Sequence, residues 1–390
     1  MKGTLKQCLL KFGGYDLARK LYARCEHINL ERKVHTFIKT GKLPLPDMVM
    51  FEPTQRCNLR CTMCYQDRSA MGGREELTLE QIIDFFERTP YLRKVTLIGG
   101  EVFIRRDMTD LIYYLQRSRD VVICTNGTLI GDSEIHALEN CHHIFSVDIS
   151  LDGPKVIHES IRRVRGSYDR VVRTIQALVP LFPVTVNCVV QDENIGVLSN
   201  VVDLCSSLGV KQLKFEIERL YSKDKIAQTV KSRLALNDIP VSRKVHTRHY
   251  SLEALRCKLL DCQRRGKRAG MYITFSPPYL MEEIEDCYVG SLRSTRRYIC
   301  EAFRTASIAP DGTVISCYTL RVPFGNILDT PLEELWNSEV ARAYRQKLVQ
   351  NNMTPLCENC PFMTPYRECH LVNIKKNCIP VIVNNILRPT

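Results

Sequence analysis

Cys57-Asn58-Leu59-Arg60-Cys61-Thr62-Met63-Cys64 decides how the rest of the chain is read, because it places three thiols within eight residues at C-x3-C-x2-C spacing. The apolar run Met48-Val49-Met50-Phe51 and then Glu52-Pro53-Thr54 precede it. That order reads as a strand running into a loop, which brings three sulfurs round one point. Three thiolates can hold three irons of a [4Fe-4S] cluster, which normally takes four cysteines. The fourth iron is then open to a ligand, by the logic that keeps one position free on a catalytic metal. A zinc knuckle, or three unrelated core thiols, is the competing reading. Zinc sites favour four ligands with C-x2–4-C pairs, and no fourth ligand follows closely here.

Beyond the cysteines the text alternates. Apolar, β-rich runs recur at 48–51, 94–98, 120–124, 143–151, 184–190 and 210–217. Helical patterns lie between them. Thr78-Leu79-Glu80-Gln81 is a capping box, Asp107-Met108-Thr109-Asp110 opens a second helix, Ser167 caps a third and Asn194 precedes a fourth. Six strand–helix units predict a parallel α/β layer. Right-handed crossovers curl such units into an open partial barrel, whose active site lies at the C-terminal ends of the strands. Three segments fall there: Gly99-Gly100-Glu101, Thr125-Asn126-Gly127 and Ser150-Leu151-Asp152-Gly153. Each is also readable as a plain turn. Two glycines allow close backbone approach, and Glu101 supplies a carboxylate at a strand end. In the fifth unit Asn187 points to the same end.

The cysteine spacing, with the strand before it, resembles the radical S-adenosylmethionine (radical SAM) superfamily. The resemblance implies the partial (β/α)6, TIM-like barrel. It also implies that a SAM-binding [4Fe-4S] cluster sits on Cys57, Cys61 and Cys64, with its open iron chelating the amino and carboxylate groups of SAM. Reduction by an external donor such as flavodoxin or ferredoxin then yields a 5′-deoxyadenosyl radical that takes a hydrogen atom from the substrate. Met63 departs from the pattern, which usually has an aromatic residue just before the third cysteine, but methionine can still pack on a ring. By resemblance Met63, Gly99, Gly100, Glu101 and Asn126 belong to the SAM site. Glu101 lies in the segment that holds the amino group, Ser150 contacts the ribose and Arg162 the carboxylate. Arg163 and Arg165 are neighbours that leave the choice of arginine open.

A second constellation follows at the C-terminus. Cys300 precedes Ile308-Ala309-Pro310-Asp311-Gly312-Thr313-Val314-Ile315-Ser316-Cys317, where Asp-Gly between apolar runs predicts a hairpin. Cys357-Glu358-Asn359-Cys360 then supplies C-x2-C, and four cysteines in this order can form one closed site. Residues 300–361 are similar to the SPASM domain that follows the barrel in many radical SAM enzymes. That implies an auxiliary [4Fe-4S] cluster on Cys300, Cys317, Cys357 and Cys360, with zinc as the alternative. Full SPASM domains carry two more closely spaced cysteines. Here Tyr366 and His370 stand at those positions, with Cys369 and Cys378 offset, so one auxiliary cluster is expected and a second remains open.

The chain has 390 residues, 44% apolar and 25% charged, an ordinary composition for a soluble protein of more than one domain. The expected units are a helical, basic extension over 1–47, a barrel core over 48–217, a basic helical connector or lid over 218–299, and the cysteine-bearing region 300–390. The N-terminus lacks the apolar core of a signal peptide, and eighteen cysteines then point to the cytosol and to metal or free thiols. The net charge of +12 is concentrated. Residues 1–48 hold ten basic against four acidic residues, and 241–270 hold nine against two. Such surfaces suit an anionic substrate or an anionic lipid surface, or are simply solvated helix faces. A small molecule, anionic or lipid-like, is the expected substrate. A peptide or protein side chain is the alternative, and an iron–sulfur or zinc binding protein without enzyme activity is a third reading. No nucleic-acid motif is present, and no catalytic acid, base or hydrogen donor stands out.

Overall fold

Branched and aromatic side chains suit a pleated, buried surface, and the six expected runs form six strands. They are β1 (Met48–Phe51), β2 (Lys94–Leu97), β3 (Asp120–Thr125), β4 (Ile144–Ser150), β5 (Val184–Val190) and β6 (Gln212–Ile217). They pair in chain order, every ladder parallel. The computed structural model describes residues 15–64, 75–219, 223–231, 249–278, 280–289, 298–351, 353–357, 360 and 362–366.

A long helix, α1 (Tyr15–Thr40), precedes the sheet. Five crossings carry α2 (Leu79–Arg88), α3 (Met108–Gln116), α4 (Asp132–Glu139), the pair α5 (Lys155–Arg162) and α6 (Ser167–Leu178), and α7 (Leu198–Ser207). The capping box forms: Gln81 N donates to Thr78 Oγ1 at 3.3 Å, and Thr78 N donates to Gln81 Oε1 at 2.9 Å. The helix it opens buries Ile82, Phe85 and Phe86, with the Phe86 ring 5.7 Å from that of Phe51 on β1. Each such side chain stabilises the fold by about 1.5–3 kcal/mol. Three other helices begin close to the expected positions, with their polar residues used differently from simple caps. Asp107 makes no cap bond and instead holds Arg105. Gly166, at φ 74°, takes the N-cap position of α6, leaving Ser167 buried as its first residue. Asn194 donates to the carbonyls of Asp152 and Val189, tying the β4 and β5 ends together. Only for Asn194 are the partners tertiary; Asp107 bonds its near neighbour Arg105, and Ser167 Oγ is buried with no hydrogen-bond partner among the described residues.

The connector expected over 218–299 is partly sheet. After α8 (Lys223–Lys231) and α9 (Leu252–Arg268), strand β7 (Tyr272–Ser276) joins β6 in parallel. Gly266 lets α9 lie close on this strand, since a Cβ there would be 2.3 Å from Ile273 Cγ1. The five-residue strand was hidden behind the basic end of α9, which reads as surface. A short α10 (Ile284–Val289) follows.

The C-terminal region is built onto the other edge. It contains β8 (Tyr298–Cys300), β9 (Thr305–Ile308), β10 (Thr313–Ile315), β11 (Pro323–Asn326), α11 (Leu332–Trp336), α12 (Glu339–Gln350) and β12 (Met363–Pro365). β9 runs parallel to β1, and the expected Asp311-Gly312 hairpin returns as β10, antiparallel to β9. The ten-stranded order is β11-β10-β9-β1-β2-β3-β4-β5-β6-β7, with β8 and β12 forming a separate pair. The first cysteine loop therefore leaves β1 beside the end of β9, the strand that the hairpin joins to β10 and Cys317. Helix α1 packs on the segment between β8 and β9, where Glu26 pairs with Arg304 and the Phe37 and Phe303 rings meet edge-on at 5.8 Å. Among the described residues no helix is long and apolar enough to cross a membrane.

Candidate functional site

The loop from Glu52 to Cys64 is irregular, so its backbone needs partners outside itself. It finds them at several elements. Gly100 N donates to Thr54 O at 3.0 Å and Glu101 N to Arg56 O at 2.8 Å. At the far end Thr62 N donates to Ile161 O at 2.9 Å and Arg60 N to Arg162 O at 3.3 Å, which docks the loop on the end of α5. The two glycines serve this docking. A Cβ on Gly99 would lie 2.3 Å from Thr54 O, and one on Gly100 only 2.1 Å from Arg56 O. The close approach they permit is to the chain's own cysteine loop.

Side chains complete the staple. Asn126 Nδ2 donates to Asn58 Oδ1 at 2.9 Å, and Asn58 Nδ2 donates to Thr128 Oγ1 at 2.9 Å. Glu101 is wholly buried and lies behind the site wall: it accepts from Thr125 Oγ1 and Asn126 N, both at 2.6 Å. Burial raises its pKa against the pull of these donors. Its carboxylate is thus committed to holding the Thr125-Asn126 turn. Glu101 Oε1 also accepts from Phe103 N at 3.3 Å, so both carboxylate oxygens are tied to the chain.

The three candidate arginines differ in burial. Arg163 and Arg165 are exposed, whereas Arg162 is buried. Its Nε donates to Asp152 Oδ2 at 2.6 Å and its Nη1 lies 3.5 Å from Cys61 Sγ. Burial disfavours its charge, but Asp152 and the Cys61 sulfur outweigh that and raise its pKa. Asp152 also accepts from Val189 N at 3.1 Å, and His158 Nδ1 accepts from Asp152 N at 3.3 Å. Burial lowers the His158 pKa to about 4, so it is neutral.

Cys57, Cys61, Met63, Cys64, Gly99, Gly100, Asn126, Ser150, Arg162 and Asn187 all line one cavity of about 590 Å³ at the C-terminal ends of the strands. Glu101 alone of the expected residues does not. Ser150, Asn187 and Lys214 stand in register across β4, β5 and β6. Asn187 Oδ1 is buried with no hydrogen-bond partner among the described residues. An orphaned acceptor on a cavity wall fits a bound ligand that donates to it. Lys94, Asp148, Lys214, Glu216 and Arg219 also line the cavity, with Glu216 two residues nearer the C-terminal end of β6 than Lys214. These went unnoticed in the sequence although a signal was present. Central parallel strands should read as continuous apolar runs, yet Lys94, Asp148, Lys214 and Glu216 interrupt them.

The four C-terminal cysteines also converge. Cys300, Cys317, Cys357 and Cys360 line a second pocket of about 40 Å³. Burial and the other sulfurs raise the Cys300 pKa, and burial with Cys360 and Cys317 pushes Cys357 up to about 12. A cationic centre bound there would take the cysteines as thiolates and release their protons. Leu320 N donates to Cys317 Sγ at 3.3 Å, a further contact suited to a thiolate. Among the described residues no three His, Cys, Asp or Glu side chains are arranged to hold a single metal ion. Cys369, Cys378 and His370 lie outside the described residues; Tyr366 is within them.

An unexpected contact joins the two sites. Arg321, at φ 48°, donates from Nη1 and Nη2 to Glu52 Oε1 and Oε2 at 3.0 and 2.9 Å. Glu52 is fully buried five residues before Cys57, and Arg321 N donates to Cys317 O at 2.9 Å. The pair is far apart in sequence, and no local pattern announces it.

Comparison with known proteins follows the same division. The sequence model of the radical SAM superfamily matches residues 51–205, and that of the SPASM iron–sulfur cluster-binding domain matches 300–361. The chain is 23% identical over 357 residues to the antilisterial bacteriocin subtilosin biosynthesis protein AlbA of Bacillus subtilis, covering 88% of this chain and 72% of AlbA. It is 23% identical over 332 residues to an AdoMet-dependent heme synthase of Methanosarcina barkeri, covering 80% of this chain and 88% of that one. Among solved structures it resembles Streptococcus suis SuiB bound to S-adenosylmethionine, with a TM-score of 0.60 at 16% identity, over 81% of this chain and 72% of SuiB. At that identity the likeness concerns the fold.

Proposed function

Since the chain belongs to the radical SAM superfamily and carries a SPASM iron–sulfur domain, we propose that it takes a hydrogen atom from a small, charged substrate group held in the strand lumen. The observation that carries this reading is the single cavity of about 590 Å³ shared by the three cysteines, Arg162, Ser150 and Asn187. The cofactors are SAM and [4Fe-4S] clusters. When bound and reduced, they supply a 5′-deoxyadenosyl radical.

The chain's own residues hold and orient them. Cys57, Cys61 and Cys64 hold the cluster, with the loop fixed by Gly99, Gly100 and Asn58. Arg162, kept charged by Asp152, holds the SAM carboxylate. Ser150 and Asn187 offer a hydroxyl and an orphan carbonyl to the ribose. Met63 and Asn126 complete the wall, and Glu101 acts through the turn it fixes. Cys300, Cys317, Cys357 and Cys360 would hold one auxiliary cluster, which would supply electron transfer or a means of positioning the substrate.

The size of the cavity supports a small substrate group. Small-molecule sites span about 300–1,000 Å³, and this one must admit SAM as well. What remains suits one small molecule, or one side chain of a larger one. Its charge supports an anionic or zwitterionic group, since Lys94, Lys214, Asp148 and Glu216 all line the lumen. Peptide modification is the second reading. It is favoured by the similarity to AlbA over 88% of the chain, while the similarity to a heme synthase favours a small molecule.

The experiment is to add a cell extract, split by size near 1 kDa, to reconstituted enzyme with SAM and reductant, and to measure 5′-deoxyadenosine. The small-molecule reading predicts stimulation by the low-mass fraction after protease treatment. Stimulation confined to the high-mass fraction, and lost on protease treatment, would replace it with peptide modification.

A further inference from the structure

Arg219 stands in the wall between the lumen and the four-cysteine pocket. It follows β6, whose residues Lys214 and Glu216 face the lumen, and its own side chain borders that cavity. Toward the other side its Nη1 lies 3.4 Å from Thr319 Oγ1, in the loop after Cys317. Its guanidinium also lies 5.6 Å from the centre of the Phe362 ring, two residues beyond Cys360. The side chain is only 11% exposed, so its charge acts through protein, where screening by salt is weak. Glu216 Oε1 makes a loose contact with Nη2 at 3.5 Å.

We propose that Arg219 sets how readily the auxiliary cluster on Cys300, Cys317, Cys357 and Cys360 accepts an electron, with Glu216 opposing it from the lumen side. The inference rests on the four-cysteine reading above. One electron entering a cluster adds one negative charge. A fixed cation stabilises that reduced state more than the oxidised one, and a fixed carboxylate does the reverse. Net charge and burial are general determinants of iron–sulfur potentials. Arg219 touches the loops that carry the ligands, so it is a positioning residue that acts through charge.

The test uses the full-length C57A/C61A/C64A protein, in which the auxiliary cluster is the one retained, followed by an EPR-monitored redox titration. Added R219Q is expected to weaken reduction about tenfold, a downward shift of ~59 mV for a one-electron couple. R219K keeps the cation and should lie within threefold of the parent. E216Q removes the opposing carboxylate and should shift the potential upward. Opposite signs for R219Q and E216Q are a signature that a merely structural role would not produce. Shifts of the same sign, or shifts under twofold in both, overturn the proposal. Should R219Q fail to hold iron, an E216Q potential that stays level or falls overturns it, and a rise supports it. A background protein that takes up no iron overturns the four-cysteine reading and this inference with it. Absence of SAM cleavage by the unmodified enzyme would overturn only the radical-site reading.

Discussion

The two cysteine sites are built in opposite ways. Cys57, Cys61 and Cys64 lie on one continuous loop and open on a cavity of about 590 Å³. Cys300, Cys317, Cys357 and Cys360 come from separate places in the chain and line a pocket of about 40 Å³. The first arrangement leaves room beside the sulfurs for a ligand and a substrate. The second leaves room for little beyond a cluster. Openness separates a site that does chemistry on a bound molecule from one that holds a group in place, as with catalytic and structural metals.

Removing the sulfurs tests that difference most severely. The C57A/C61A/C64A variant is expected to lose all SAM cleavage and about four irons per chain, the content of one cluster. C300A/C317A should lose about four irons yet still cleave SAM. Iron analysis and chromatography of 5′-deoxyadenosine read both. Equal loss of cleavage in the two variants would erase the functional distinction between open and closed sites.

The Glu52–Arg321 pair is where the two sites touch. Glu52→Gln strands a largely buried guanidinium and should cost about 3–5 kcal/mol in urea unfolding of the apo-protein. Adding Arg321→Met should return part of that loss. If the two changes simply add, the loops are not coupled through this pair.

The open site alone rests on a buried histidine. The His158 pKa is lowered to about 4 in the folded chain, against about 6.5 unfolded. The unfolded state therefore binds more protons between these values. The His158 contribution is fully present above pH 6.5 and is lost as pH falls toward 4, on the order of 3 kcal/mol in total. His158→Gln should flatten that part of the profile in urea titrations at pH 7 and pH 5. An unchanged slope would show that the histidine is not held neutral.

Gly100→Ala gives the smallest effect on stability and the sharpest on location. Its Cβ would meet Arg56 O at 2.1 Å, and overpacking of this kind costs about 1–3 kcal/mol. Iron should fall at the first site and stay at the second. Loss from both would mean that the docking loop serves the whole molecule.

How much of this could be read beforehand follows the same contrast. The Cys57–Cys64 loop, the capping box at Thr78 and the Asp311-Gly312 hairpin are local, and their spacing carries their geometry. The six strand runs were legible because period and composition change sharply at their ends. What escaped is long-range. β7 is five residues long and lies behind a basic helix end. Glu101 looked like a ligand-facing carboxylate, yet Thr125 and Asn126 claim it from a neighbouring strand. The Glu52–Arg321 pair and the Arg219 wall join residues that meet only after the C-terminal region is laid against β1. Lys94, Asp148, Lys214 and Glu216 were visible as charges inside strands, a local anomaly with a lumen as its cause.

Anaerobic reconstitution tests the central claim most directly, with iron, sulfide and zinc counted per chain and 5′-deoxyadenosine measured after adding SAM and dithionite. The account predicts about eight irons and SAM cleavage, from one open and one closed [4Fe-4S] site. About twelve irons would add a second auxiliary cluster and bring in Cys369 and Cys378. Bound zinc without SAM cleavage would contradict the account and leave a metal-stabilised binding protein.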